Sequence, residues 1–202
     1  MSALPKHYYT LEEYLELDRN SEERLEYWDG EIFSTSGASN QHDCIETNIT
    51  AHLHPRLRPK GCHHFSGNFR IKVPSLPPYR YGDVSALCGK PVFEKIGGVD
   101  TLTNPQLIIE ILSPSTEAYD LGTKFTNYKS IPSFCEYLVI SQTRPHVFQF
   151  IRQFIKQNQN AWLQKEFTAM DDELELTSVG CTLSLAEIYQ YVIFPASEDD
   201  DE

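Results

Sequence analysis

No run of about 18 apolar residues occurs in the 202-residue chain, so no segment reads as a membrane-spanning helix. The stretch from Met1 to Tyr9 lacks an apolar core of the signal-peptide kind. Cysteines are few and poorly arranged for a framework. Cys44, Cys62, Cys88, Cys135 and Cys181 are odd in number and contain no CxxC pair, so the expectation is a reducing, cytoplasmic setting without disulfides. Positive charge is short as well: 17 Lys and Arg stand against 29 Asp and Glu, for a net charge of −12. The acidic end, Glu198 to Glu202, carries part of this, and about −7 remains without it. Such a chain does not hold nucleic acid by bulk attraction, which requires many phosphates to be neutralised at once. The one local exception is Arg56, Arg58, Lys60, His63, His64, Arg70 and Lys72, a candidate basic surface that reads equally well as a solvated edge.

What is present suits an α/β fold. With 40% hydrophobic residues, the chain has enough apolar content for one domain over residues 1–195, followed by an acidic tail, 196–202, expected to be disordered. Thr10 and Glu13 form a capping box for a helix to about Asp18. "RLEYWDGEIFS" is two strand-like runs joined by Asp29-Gly30, a hairpin signal. Ser39 can cap a second helix, in which Ile45, Ile49, Leu53 and Leu57 recur every four residues, with Pro59 and Gly61 marking its end. Strand-like segments follow near 64–73, 83–88 and 106–112. A helix is expected from Thr116 to about Ser130, then strands over 136–141, 146–153 and 161–168, an acidic loop, and a short helix from Ser184 to about Tyr191.

Within "NPQLIIEILSPST", Glu110 stands alone in an apolar run. A carboxylate buried there needs a partner, a metal or a proton. A second acid, Asp83, opens the strand-like "GDVSALCG", and a hairpin-like connection containing Gly97-Gly98 separates the two. If these strands pair, Asp83 and Glu110 meet at one point on the sheet. Two carboxylates completed by waters and phosphate oxygens are the usual setting for a hard dication such as Mg²⁺. Lys124, on the following helix, is placed to supply a cation to a phosphate or an attacking water.

These segments, together with "LEYWDGEIFSTSGAS", "EAYDLGTKFTNYKSIPSFCEYLVIS" and "GCTLSLAEIYQYV", run in order along nearly the whole chain. The sequence resembles the Uma-two family of restriction-endonuclease-like proteins in the PD-(D/E)xK nuclease superfamily. The resemblance implies a restriction-endonuclease-like fold, a central mixed β-sheet flanked by helices. It also implies an endonuclease hydrolysing DNA phosphodiester bonds with Mg²⁺, which Mn²⁺ can replace, and a homodimer. Carried over by position, Asp83 and Glu110 are the metal-holding acids, Lys124 the catalytic lysine, and Glu26 and His42 site-lining residues. Two departures stand out: Leu112 occupies the place where the motif name puts its lysine, and Gly82 stands where a proline usually precedes the first acid.

Two other readings remain open on the residues. The same fold could serve without catalysis as a DNA-binding or protein-interaction module, which the acidity and Leu112 favour. A zinc-stabilised protein would use His42, His52, His54, Cys62, His63 and His64, although their spacing fits no standard zinc pattern and His52 and His54 point about 200° apart on a helix. "HVFQFIRQF" reads either as an interface strand or as a core strand.

Overall fold

Thr10 and Glu13 exchange side-chain-to-backbone hydrogen bonds and start helix α1 (Leu11–Asn20) with the expected capping box. The computed structural model describes residues 8–21, 24–28, 30–34, 39–75, 77–113, 117–155 and 159–195. Asp29 of the expected turn, Pro114, Ser115 and Thr116 of the SPST segment, and the acidic tail lie outside the described residues.

After α1, strands β1 (Leu25–Trp28) and β2 (Glu31–Ser34) form the anticipated hairpin. Helix α2 (Asn40–Leu57) is capped by Ser39, whose Oγ accepts from the His42 N–H at 3.1 Å. The strand-like segment 64–73 is in fact two strands, β3 (Cys62–Ser66) and β4 (Arg70–Lys72), in different sheets. A turn at residues 67–69, carried by Gly67-Asn68, separates them, and the two halves of the segment feed two layers. Next come β5 (Tyr79–Tyr81), β6 (Val84–Cys88), β7 (Phe93–Ile96), β8 (Val99–Leu102) and β9 (Leu107–Leu112). The expected helix after β9 consists of α3 (Glu117–Tyr119), a π-helical turn (Asp120–Lys124) and α4 (Phe125–Lys129). Strands β10 (Glu136–Ser141), β11 (Val147–Ile155) and β12 (Gln159–Phe167) follow. The supposed acidic loop contains β13 (Glu173–Leu176), which pairs with β14 (Cys181–Ser184). Its alternation of exposed Glu with buried Leu is a half-buried strand signal that the acidity obscured. Helix α5 is only Leu185–Ile188, shorter than expected.

The main sheet has the order β12-β11-β10-β9-β6-β3 and is mixed, since β9 and β10 run parallel and the other pairs antiparallel. One face carries Val84, Ala86, Leu107, Ile109, Ile111, Leu138 and Ile140 against the α2 stripe Ile45, Ile49, Leu53 and Leu57, with α5 beside it. The other face carries Ile108, Leu112, Tyr137 and Val139 against Phe125, Tyr128, Ile131 and Phe134. The period-two pleat therefore puts Glu110 with Ile108 and Leu112, on the α4 side. A second sheet, β5-β4-β8-β7, contains the Gly97-Gly98 hairpin. β11 is paired on both sides, so "HVFQFIRQF" is not a sheet edge; Val147 is buried, and Phe148, Phe150 and Ile151 are half-buried.

Two charge and redox expectations change. The basic stretch does not make one surface. Arg70 is buried against Asp18 and donates to Tyr81, Arg56 pairs with Glu187, and Lys72 with Glu94. Cys62 and Cys88 lie directly opposite each other across β3 and β6 and form a disulfide, with their Cα atoms 3.9 Å apart. An odd total did not exclude one cross-strand pair. Cys44, Cys135 and Cys181 are free thiols. Among the described residues, no helix is long and apolar enough to cross a membrane.

Arg56 Nη1 donates to Glu187 Oε2 at 2.9 Å and so ties α2 to α5. This bond holds the Glu187 carboxyl down at about 2, against a smaller upward push from burial. A carboxyl lowered in the folded state stabilises above its unfolded pKa, and that contribution is lost as pH falls through the folded value. Arg56→Ala is expected to lose about 1 kcal/mol at pH 7, a modest figure because both side chains remain partly in water. In urea unfolding, the gap between wild type and variant should narrow from pH 5 to pH 3; a constant gap would contradict the assignment.

Candidate active site

The site forms where the chain leaves one sheet for the other. β5 belongs to the second sheet and β6 to the main sheet, with Gly82-Asp83 as the junction. There is no space for a side chain at position 82: an added Cβ would lie 2.9 Å from Ile108 Cγ2 and 3.4 Å from Glu110 Oε1. Glycine thus lets the crossing chain lie directly on the Glu110 side chain. The β6–β9 ladder pairs Val84 with Ile109, and the next position on each strand is Asp83 and Glu110. The Asp83 carboxylate reaches over to β9 and accepts the Ile111 N–H at 2.7 Å. Expected pairing of the two acid-bearing strands is therefore present, and Asp83 is tied to the residue that follows Glu110.

Glu110 is almost fully buried and has two donors. Lys124 Nζ lies 3.0 Å from Oε2, and the Tyr128 hydroxyl donates to Oε1 at 2.8 Å. Lys124 also lies 3.2 Å from Glu26 Oε1 and 3.4 Å from Asp120 Oδ1. The ammonium is brought inward by the π-helical turn, a feature found mostly as single-turn insertions at functional sites. One buried cation thus faces three buried carboxylates from β1, β9 and the π turn. Burial opposes the charge on Lys124, but Glu110, Glu26, Asp120 and Asp83 outweigh it and raise its pKa well above the usual value. Glu110 is pushed well above the carboxylate range by burial, with Asp120, Asp83 and Glu26 adding to the rise and Lys124 opposing it. The group carries more negative charge than Lys124 can balance.

A second group faces Asp83. His42, in the first turn of α2, places Nε2 3.3 Å from Asp83 Oδ2, and Glu46 lies one turn further along. The cap residue Ser39 donates to Gln142 Oε1 at 2.5 Å, which fixes this end of α2 to the end of β10. Burial would raise the Asp83 carboxyl, but the His42 hydrogen bond and charge, then Lys124 and the Ile111 N–H, hold it below its ordinary range. Burial lowers His42, yet its bond to Asp83 raises it overall.

All five expected residues, Asp83, Glu110, Lys124, Glu26 and His42, are thus at this junction, in two adjoining groups. Asp120, Tyr128 and Glu46 were missed. Each had a signal in its spacing: Asp120 and Tyr128 flank Lys124 at four residues, and Glu46 follows His42 by four on a capped helix. The zinc grouping does not assemble. His54 Nδ1 meets His64 Nε2 at 3.1 Å, His52 lies 3.7 Å from Glu187, Cys62 is bonded to Cys88, and His42 is at Asp83.

The sequence profile of the Uma2 family, described as "Putative restriction endonuclease", matches residues 11–186. The chain belongs to the Uma2 family. Two uncharacterised Synechocystis proteins are similar to this Uma2 chain. slr1290 is 33% identical over 183 residues, covering 91% of this chain and 92% of the relative. sll1609 is 30% identical over 168 residues, covering 83% and 92%. In structure, the Uma2 chain is similar to a crystal structure titled as a putative nuclease belonging to DUF820 from Anabaena variabilis. The TM-score is 0.67 at 19% identity, over 91% of this chain and 99% of that one. The fold is restriction-endonuclease-like, as the sequence resemblance implied.

Removing the Lys124 ammonium leaves Glu26, Glu110 and Asp120 buried together without their cation. Lys124→Ala is expected to cost about 3–5 kcal/mol, equivalent to a fall in melting temperature of about 10 °C. The unpaired acids would bind protons in the folded state, and stability from a raised carboxyl falls as pH rises. The deficit should therefore be larger at pH 8 than at pH 5 in calorimetry. An equal loss at both values would mean that the acids do not share the lysine.

Proposed function

We propose that this Uma2 chain is a metal-dependent endonuclease that hydrolyses DNA phosphodiester bonds at the Asp83–Glu110–Lys124 junction. The observation that carries this reading is the junction itself: Asp83 bonded to the backbone beside Glu110, with the Lys124 ammonium 3.0 Å from Glu110. The residues fit a dication, because buried carboxylates outnumber their cation and a dication lowers the cost of keeping them charged. Asp83 and Glu110 would hold Mg²⁺, with Mn²⁺ able to replace it. When bound, such an ion polarises the phosphoryl oxygen and favours deprotonation of an attacking water.

The chain's own groups do the remaining work. The Ile111 N–H and His42 keep the Asp83 carboxylate charged and fixed in direction. Tyr128 and Lys124 orient Glu110 from opposite oxygens. Lys124 stays protonated among its acids, so it acts as a donor to the negative charge that builds on the phosphoryl oxygens and not as a base. Leu112, in place of a motif lysine, points into the apolar cluster with Phe125, and the helical Lys124 takes over the cationic role. We propose that a pair of copies cuts both strands. The family description and the nuclease title of the structural relative support the class of activity.

One feature favours a second reading, an inactive nuclease-fold module: both Glu110 oxygens already have donors. Supercoiled plasmid incubated with the protein and Mg²⁺ separates the two. Nicked product is expected, linear product should rise with protein concentration if two copies cooperate, and EDTA should stop both. Asp83→Asn, Glu110→Gln and Lys124→Ala should each reduce the rate by about 100-fold or more. Binding to plasmid with no metal-dependent cleavage would favour the module.

A further inference from the structure

Glu110 is engaged by Lys124 and Tyr128, whereas Asp83 faces a different set of donors. Among the described residues, His42, Glu46 and Asp83 are the group of three whose ligand atoms, one from each, all lie within 4.8 Å of one another. Two ligands about 2.1 Å from one ion and at right angles across it lie about 3 Å apart; His42 Nε2 and Asp83 Oδ2 are 3.3 Å apart. The spacing is that of two neighbouring positions on a single coordination sphere.

Each member is held for this. Asp83 is fixed by the Ile111 N–H, His42 by the capped first turn of α2, and Glu46 by a hydrogen bond from the Gly67 backbone. The other ring nitrogen of His42, Nδ1, is buried and has no hydrogen-bond partner. With an ion on Nε2, this nitrogen carries the ring proton. Arg24 is close enough to act on both His42 and Glu46, and it offsets part of the acidity when no ion is bound.

We propose that His42 and Glu46 join Asp83 as direct ligands of the site's dication, and that the imidazole makes this a site for Mn²⁺ in preference to Mg²⁺. The inference rests on the metal-dependent reading above and adds two ligands and a metal preference to it. The physical reason is ligand hardness. Mg²⁺ strongly favours oxygen and gives up water reluctantly, while a first-row transition dication accepts a nitrogen in an otherwise oxygen shell. Glu110 stays the second acid of the site, next to Asp83 on the paired strand and in contact with Lys124.

The test uses the full chain and reads binding directly. Mn²⁺ is titrated by EPR, Mg²⁺ by competition, and the bound Mn²⁺ is probed by electron spin echo for coupling to ¹⁴N. Expected are about one Mn²⁺ per chain, at least about tenfold tighter than Mg²⁺, and a clear nitrogen signal. His42→Ala should remove the nitrogen signal and weaken Mn²⁺ by about tenfold or more; Glu46→Gln should weaken it without removing the signal. His42→Asp, which restores an oxygen, should bring the Mn²⁺ and Mg²⁺ affinities together. Melting curves in EDTA check that each variant is folded. Mn²⁺ bound without nitrogen coupling, or affinity untouched by both substitutions, overturns the proposed ligand set and leaves the metal-dependent reading intact. No binding of either ion by the wild type overturns both.

Discussion

The Lys124 ammonium, enclosed by Glu26, Glu110 and Asp120, is the constraint on which the junction depends. A buried lysine without partners would shed its proton, and three buried acids without a cation would each take one up. Together they let the lysine keep its charge, although burial still holds Glu110 well above the carboxylate range, and the arrangement works only if a hairpin, a central strand and a helical turn all arrive in register. Glu26 comes from β1, Glu110 from β9, and Asp120 from the same turn as the lysine. Their convergence fixes the β1–β2 hairpin and the α3–α4 segment on the same side of the main sheet. The π-helical turn fits this purpose, since it moves the lysine inward without displacing Tyr128 from the core.

A second constraint is the fork between the two sheets. β5 and β6 are nearly continuous in sequence, yet they belong to different layers, and the chain must turn within Gly82-Asp83. The absence of a side chain at 82 lets that turn rest against Ile108 and Glu110. A proline in its place would bring a ring into this contact, so the departure from the family pattern has local packing consequences at the acid itself. The fork also exposes the strand ends at which Asp83 can be reached by α2 from one side while Glu110 is served by the π turn from the other.

Much of this was legible in the residues. The four-residue stripe Ile45, Ile49, Leu53 and Leu57 identified a buried helix face, and all four are buried. The lone acid in "LIIEIL" identified a carboxylate that must be paired, and it is. What was not legible depended on distances between segments far apart in the chain. The turn at 67–69 divides β3 from β4 at Ser66-Gly67-Asn68, a local turn signal, but that the two strands then join different sheets is set by distant pairing. Cys62 and Cys88 are brought opposite by strand register, which a count of cysteines does not contain. That the Tyr128 hydroxyl faces Glu110 follows only from how α4 packs. β13 was hidden because its exposed positions are glutamates, which dominate composition while the buried leucines do the packing.

The dispersal of the basic residues bears on how an acidic chain could work on a polyanion. Arg56 and Lys72 are tied to carboxylates on the protein's own surface, and Arg70 is locked under α1 by Asp18. The chain as a whole has a net charge of −12. For the proposed reaction, positive charge toward a phosphate would come from within the junction, where Lys124 and a dication partly neutralise the surrounding acids. Charge at such a buried point acts over a few ångströms and is little screened by salt, unlike a surface patch. Weak, local engagement of the backbone is the mode of binding that this distribution of charge permits.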